Sequence, residues 1–205
     1  MEKTVHFRAI LRKIRDMKLD ILIEERDDMK LFIRKLLSLA LLPENDIKKA
    51  FTCLLNDHKT LSELFKGLTN YFSSYWLKVI KPHRFSCYRN TIRTNNYLES
   101  YHRTLKWKLG SHPQIWEFTE GIAALQELTA IEKSSLENNL KIRRTADKKI
   151  VLKNEMIQYL WDLYDNGTLE IDNFLHCASH TSKAFHNNNI WTNIDDINNF
   201  LMPIE

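Results

Sequence analysis

An all-α fold is predicted by three features of this 205-residue chain. The sequence contains only four glycines and four prolines, so few residues interrupt helices, while Leu, Ile, Lys and Glu favour them. Apolar residues recur at spacings of three to five, as expected for helices that bury one side. Only residues 19–23 alternate in the manner of a strand, and one short strand does not make a sheet.

Apolar stripes predict four helices in the first eighty residues. They cover residues 5–18, 29–42, 46–56 and 60–78. Pro43 ends the second helix because its ring clashes with the preceding backbone. Asn45 and Asp46 are suitable caps for the third, and Trp76 in the fourth is expected in the core.

The remaining residues predict an extended connector, four more helices and a tail. The connector covers residues 81–95; the helices cover about 96–108, 114 into the 130s, 150–164 and 168–181. Gly110 and Pro113 separate the first two of these helices, and Gly167 ends the third. Residues 141–149 predict a break, and the Asn-rich residues 182–205 predict an irregular tail.

Positive charge is concentrated in the middle of the chain. Residues 78–108 contain eight Lys or Arg and one acid, Glu99, so the net charge of this segment is +7. The net charge of the whole chain is +4, so the other residues sum to −3. Tyr and Trp residues alternate with these charges, a pattern typical of surfaces that contact a phosphate backbone. A solvated basic surface without a partner is the alternative interpretation.

Composition also indicates the cellular compartment in which the protein is expected. No apolar run approaches the roughly 20 residues that cross a bilayer, so no membrane partner is expected. The first residues lack the apolar centre of a secretory signal. Three widely spaced cysteines, Cys53, Cys87 and Cys177, favour free thiols in a reducing nuclear or cytoplasmic compartment.

The segment 93–116 contains the most specific motif in the sequence. It reads R-T-N-N-x-x-E-x-x-H, followed by G-x-H-P-x-I-W. This pattern resembles the third-carboxylate helix of Mutator-like element (MULE) transposases. In that family the Glu completes an Asp-Asp-Glu site for Mg²⁺ or Mn²⁺ that cuts and transfers DNA strands. The resemblance implies that Glu99 is the catalytic Glu.

Weaker matches extend the resemblance to about residues 5–180. Residues 5–13 resemble the family's F-H-F-x-Q-A-x-x-R-K segment, and residues 33–43 resemble its I-R-x-L-x-A-L-A-F-V-P segment. Phe85 stands where the family usually has Trp. The resemblance implies an RNase H-like catalytic domain interrupted by a helical insertion.

The same resemblance implies a division of the chain. Residues 1–80 are expected to be the insertion, residues 81–181 the Glu helix with the helices that follow, and residues 182–205 the tail. The sheet of the RNase H-like domain is expected to be missing, since no run of strands is predicted.

The family's two Asp residues precede its F-H-F segment. Here five residues precede His6 and none is Asp, so the chain resembles the C-terminal portion of a transposase. Two bridging metal ions need several carboxylate oxygens. Glu99 is therefore expected to bind metal only if the two Asp residues are supplied, and no cofactor is expected for the chain alone. Recruitment of Asp16, Asp20, Asp27 or Asp28 is a minor alternative.

Several residues have a structural and a functional interpretation. Glu99 has capping-box spacing from Asn96 and can pair with Arg103 one turn later. His102 can contact phosphate or metal, or be an ordinary surface residue. The best candidates for phosphate contacts share a basic, flexible side chain: Arg93, Arg103, Lys106 and Lys108.

Other features of the sequence have simpler structural interpretations. The sequence His176-Cys177-x-x-His180 hints at a metal site without a second ligand pair. The stripe Leu98, Tyr101, Leu105 and Leu109 and the ring of Trp116 are expected in the core.

Three hypotheses about function follow. The first is a truncated or domesticated MULE transposase without strand-transfer activity alone. The second is a DNA-binding or regulatory module that uses the basic segment. The third is a protein-interaction remnant that associates with itself or with an intact transposase through apolar surface left without a sheet.

Overall fold

The fold is all-α, as the scarcity of helix breakers predicts. The computed structural model describes residues 3–90, 96–140 and 148–181, and these ranges contain helices and turns without a strand. The α-helices are α1 (Lys3–Asp16), α2 (Asp20–Glu25), α3 (Asp27–Ser38), α4 (Ile47–Asp57), α5 (Lys59–Leu64), α6 (Lys66–Tyr71), α7 (Asn96–Leu109), α8 (Ile115–Glu137), α9 (Lys148–Asp165) and α10 (Ile171–His180). Short 3₁₀ turns occupy Leu39–Leu41 and Pro82–Arg84, and a π-helix covers Phe72–Ile80.

The chain separates into two compact units. The larger unit combines Met1–Arg93 with Lys148–Glu205, and the hairpin unit is Thr94–Asp147. The described part of the hairpin unit consists of α7 and α8. The boundaries at 80 and 181, which rest on the family resemblance, stay predictions, and the predicted tail lies outside the described residues.

The core of the larger unit is built around α3, whose apolar residues are almost entirely buried. Phe32, Ile33 and Leu36 are fully buried, and α10 packs along this helix. Trp161 on α9 is 1% exposed and donates its indole N–H to the carbonyl of Leu41 at 2.8 Å. That bond satisfies a polar group that burial would otherwise leave without water, so it fixes α9 against the 3₁₀ turn.

An aromatic cluster attaches α1 to the π-helix. The ring of His6 stacks on Phe85 with centroids 4.8 Å apart and meets the edge of Trp76 at 4.5 Å. Phe72 contacts both His6 and Phe85 edge to face. Trp76 is 1% exposed, which confirms its predicted place in the core.

The strand-like alternation at 19–23 is misleading, because this segment forms α2. Leu19, Leu22 and Ile23 have the i, i+3, i+4 spacing of one helical side, and Ile23 is fully buried. The amide of Ile23 bonds the carbonyl of Leu19 at 3.0 Å, a helical bond. Five residues are too few to separate a period of two from one of 3.6.

The predicted helix over 60–78 is divided into three. Phe65 separates α5 from α6; its side chain is fully buried and stacks on Phe32 at 5.6 Å. The chain then widens into the π-helix, whose last bond runs from the amide of Lys81 to the carbonyl of Trp76 at 3.0 Å. Apolar spacing does not reveal such changes, because each segment still buries one side. A π-helix is rare and often lies at a functional site.

Two predicted helix ends have different outcomes. The amide of Thr168 bonds the carbonyl of Leu163 at 3.0 Å, and Gly167 has φ of 71°, as expected for a glycine that ends α9. Asp46 precedes α4 but makes no side-chain capping bond. Its carboxylate accepts a hydrogen bond from the Tyr164 hydroxyl at 2.8 Å, and a tertiary contact replaces the predicted cap.

None of the helices in the described ranges has the length and apolar character that a membrane span requires. Cys53, Cys87 and Cys177 form no disulfide with one another. Burial raises the pKa of the Cys177 thiol to about 12, so this side chain behaves as a small apolar residue.

Candidate nucleic-acid interface

Residues 96–116 of the motif segment contain α7 and the start of α8, and α7 and α8 form a hairpin. Gly110 follows α7 with φ of 76°, a conformation that favours glycine, and its amide bonds the carbonyl of Lys106 at 3.0 Å. Leu109 approaches α8 so closely that a Cβ built on Gly121 lies 2.2 Å from Leu109 Cδ2. Glu117 accepts a hydrogen bond from the amide of Gln114 at 3.2 Å and thereby caps α8.

Most of the predicted site residues lie together on α7. Glu99, Arg103 and Lys106 are exposed and follow one another at i, i+4 and i+7, which places them on one side of the helix. Lys108 is also exposed, but its position is about half a turn from Glu99. Arg93 lies outside the described residues. We call the side that carries Glu99, Arg103 and Lys106 the basic side of α7.

His102 is exposed beside Tyr101, with ring centroids 6.4 Å apart. The capping box predicted for Glu99 needs the side chain of Asn96, which lies outside the described residues, and the pairing of Glu99 with Arg103 stays a prediction. Glu99 stands at the first turn of α7, where a carboxylate interacts favourably with the helix dipole.

Carboxylates elsewhere are engaged locally. Asp27 pairs with Lys30 at 3.0 Å, and Asp28 accepts two hydrogen bonds from Arg26. In the described ranges, no three His, Cys, Asp or Glu side chains are close enough to share a metal ion.

Apolar side chains of the hairpin unit are exposed, contrary to the sequence-based prediction of a core. Trp107 is 81% exposed and Trp116 is 75% exposed. Leu98 and Tyr101, two members of the predicted core stripe, are also more than half exposed, and only Leu105 and Leu109 are half-buried. Helical periodicity identifies an apolar side, but it does not identify what covers that side.

The two histidines of α10 form a pair within the larger unit. Their Nε2 atoms lie 3.2 Å apart, and Cys177 between them is buried. Burial, followed by the charges of His180 and Lys35, lowers the pKa of His176 to about 4. The Nζ of Lys35 is itself buried and lies 2.8 Å from the carboxylate of Asp172. Burial, as the largest cause, therefore favours the neutral form of the His176 ring.

One cation of the basic segment is paired with acids of α9. Arg89 lies 2.6 Å from Asp162 through Nη1, and its Nε donates to Asp165 at 3.0 Å. Tyr88 also donates to Asp165. The charge of Arg89 is therefore paired at the surface of the larger unit, where it attaches the segment after the Pro82–Arg84 turn to α9.

Other lysines of this segment line a cleft that the sequence did not predict. The cleft has a volume of about 990 Å³ and lies entirely within the larger unit, between α4, the π-helix and the Pro82–Arg84 turn. Lys48 comes from α4, whereas Lys78, Lys81 and His83 come from the basic segment. We call this feature the basic cleft. The basic segment already contained Lys78 and Lys81, but only the fold brings Lys48 beside them.

Comparison of the chain with protein-family models, curated proteins and solved structures gives no match. The transposase resemblance therefore rests on the residues of the motif.

Proposed function

We propose that this chain derives from a MULE transposase, binds DNA through the basic side of α7, and does not transfer DNA strands when it is alone. The observation that supports the proposal is that Glu99, Arg103 and Lys106 lie on one exposed side of α7. All three belong to the segment 93–116 that contains the motif. Flexible exposed cations suit phosphate contacts, because they neutralise the backbone and release its counterions.

The limit on chemistry follows from charge. A pair of divalent metal ions is held by several carboxylate oxygens, and Glu99 is the only residue of this chain that matches a member of the family's carboxylate triad. By itself, Glu99 supplies too little negative charge to fix two ions at the spacing that strand transfer requires.

DNA binding is tested by fluorescence anisotropy with labelled duplex DNA at several salt concentrations. Arg103→Ala combined with Lys106→Ala is expected to lower the slope of log affinity against log salt by about 2, because two phosphate contacts are lost. Arg15→Ala combined with Lys66→Ala is the matched control, since it removes one exposed Arg and one exposed Lys of the larger unit. Equal slopes for the two double variants would contradict the proposal.

The absence of strand transfer is tested separately with labelled DNA and Mg²⁺ or Mn²⁺. The chain alone is expected to leave the DNA intact. Cleavage that disappears in Glu99→Gln would refute this part of the proposal, whereas cleavage that persists in that variant would indicate a contaminating nuclease.

A second candidate function is protein association through the hairpin unit. It is favoured by the exposure of Trp107 and Trp116, since large exposed apolar groups are typical of interaction sites. The partner expected from the resemblance is an intact transposase or a second copy of this chain. Light scattering of the chain alone and mixed with such a transposase tests it. A monomer that stays unbound in the mixture would count against this function.

A further inference from the structure

The basic cleft combines cations from distant parts of the sequence. Lys48 is contributed by α4, Lys78 by the π-helix and Lys81 by the residue that follows it, and the imidazole of His83 also lines the cleft. All four side chains are exposed, and Glu44 is the only acid among the described residues that line the cleft. Such a concentration of positive charge attracts anions.

The floor and walls of the cleft add a second kind of contact. Phe51, Leu77 and Pro82 are buried residues of the lining, so they give the cleft an apolar part. Ser73 and Asn45 contribute a hydroxyl and an amide group to the lining. Hydroxyl and amide donors together with Lys side chains are the groups that bind phosphate oxygens in proteins.

The backbone at Lys81 is held in an unfavourable conformation. Lys81 has φ of 70° and ψ of 145°, a region that side chains other than glycine rarely adopt. Its amide closes the last bond of the π-helix. Strained residues and π-helices are both frequent at functional sites, although each costs the fold some stability.

We propose that the basic cleft is a phosphate-binding site of the larger unit, and that the phosphate it binds belongs to a nucleic-acid backbone. The cleft is open to solvent, which suits contact with a polymer better than full enclosure of a small molecule. This inference rests on the proposed DNA binding, but it assigns contacts to Lys48, Lys78 and Lys81, which lie outside the motif segment.

The first experiment uses the full chain and labelled duplex DNA. Lys48→Ala combined with Lys78→Ala is expected to weaken binding about tenfold or more and to lower the salt slope by about 2. Lys59→Ala combined with Lys66→Ala is the matched control, because both are exposed lysines of the larger unit outside the cleft, and it is expected to leave both quantities unchanged. A cleft variant that behaves like the control would overturn the proposal.

A charge-conserving variant separates the effect of charge from that of structure. Lys48→Arg with Lys78→Arg is expected to retain the salt slope of the original chain, because charge is kept. Loss of binding in this variant as well would show that the effect is structural and would count against the phosphate site.

Inorganic phosphate is the probe for the alternative source. Phosphate is titrated into the protein while amide chemical shifts are followed by NMR. The shifts of cleft residues such as Ser73 and His83 are expected to change, and to change equally in the original chain and in the control variant. Shifts at the cleft without an effect of Lys48→Ala and Lys78→Ala on duplex binding would support a free-phosphate site and refute the nucleic-acid source. If the original chain does not bind duplex DNA at all, the proposed function fails, and this titration alone decides whether the cleft binds phosphate.

Lys81→Gly gives an independent readout. Glycine adopts φ of 70° without strain, so the melting temperature is expected to rise by a few degrees while affinity for duplex DNA falls. A fall in both would show that the Lys81 side chain stabilises the fold, and it would remove the argument from strain.

Discussion

The two units use the same kinds of residues in opposite ways. In the larger unit, Trp76 and Trp161 are each 1% exposed. Trp76 packs against the ring of Phe85, and Trp161 donates its indole N–H to the carbonyl of Leu41. In the hairpin unit, Trp107 and Trp116 are mostly exposed, and neither α7 nor α8 buries a described residue completely. The larger unit therefore gains stability from its own core, whereas the hairpin depends on helix propensity and on a few half-buried leucines. The sequence favours helices in both units, but in the larger unit burial of apolar side chains also fixes the helices against one another.

Removing one tryptophan from each unit tests this comparison with the largest expected effect. Trp76→Ala is expected to lower the free energy of unfolding by about 3–5 kcal/mol, because it leaves a cavity among His6, Phe72 and Phe85. Trp107→Ala is expected to change it by less than about 0.5 kcal/mol. Urea unfolding followed by far-UV circular dichroism measures both without using tryptophan fluorescence. Similar losses in the two variants would show that Trp107 is buried in solution and would end the contrast between the units.

Ion pairs provide a second comparison between the units. Lys35 is buried with its Nζ 2.8 Å from Asp172, whereas Lys133 and Glu137 of α8 are both largely exposed and lie 3.9 Å apart. Asp172→Ala leaves a buried ammonium without its partner, so a loss of about 2 kcal/mol in unfolding free energy is expected. Glu137→Ala is expected to cost less than about 0.5 kcal/mol.

The same urea titrations measure these pairs. Lys35→Met in the Asp172→Ala background is the informative control, because removing the buried charge is expected to restore part of the lost stability. If that double variant is no more stable than Asp172→Ala alone, the loss does not come from an unpaired Lys35.

These contrasts also show which parts of the structure the sequence predicts. Apolar stripes predict helices correctly near α1, α3, α4 and α9, because each of these helices buries the side that the stripe marks. The same rule fails for Trp116, since a stripe on α8 resembles a core stripe whether or not anything covers it.

Tertiary geometry accounts for the other differences. The division near Phe65 depends on its stacking against Phe32, and Asp46 interacts with Tyr164 across 118 positions of sequence. Lys48 joins Lys78 in the basic cleft only through the packing of α4 beside the π-helix. By contrast, the basic side of α7 is predictable, because Glu99, Arg103 and Lys106 are neighbours through helical spacing alone.

The stability of the larger unit is expected to depend on pH through His176. Burial lowers the pKa of His176 from 6.5 to about 4. The unfolded chain therefore binds more protons than the folded protein between these values. The stability that this neutral ring contributes is fully present above 6.5 and is lost as pH falls toward 4. Because water reaches a half-buried ring, the loss is expected to be only about 1 kcal/mol.

Urea unfolding of variants at the two ends of this pH window measures the effect. His176→Gln is expected to reduce the pH dependence of stability. His102→Gln, which replaces an exposed histidine of α7, is the matched control. An equal pH dependence in the original chain and in His176→Gln would exclude His176 as the cause.

The smallest expected effect concerns one glycine in each unit. A Cβ at Gly67 lies 2.2 Å from the terminal carbon of Met17, and a Cβ at Gly121 lies 2.2 Å from a terminal carbon of Leu109. In both cases a flexible side chain must move. Met17 packs against the core of the larger unit, so its displacement is expected to cancel the gain in helix propensity of Gly67→Ala or make the variant slightly less stable. Leu109 can turn toward solvent, and Gly121 lies inside the 23-residue α8, where Ala is favoured by up to about 1 kcal/mol.

Gly121→Ala is therefore expected to slow hydrogen exchange of α8 amides several-fold, whereas Gly67→Ala leaves exchange in α6 unchanged or faster. Faster exchange in α8 would show that the contact between Leu109 and Gly121 holds the hairpin together more strongly than helix propensity does.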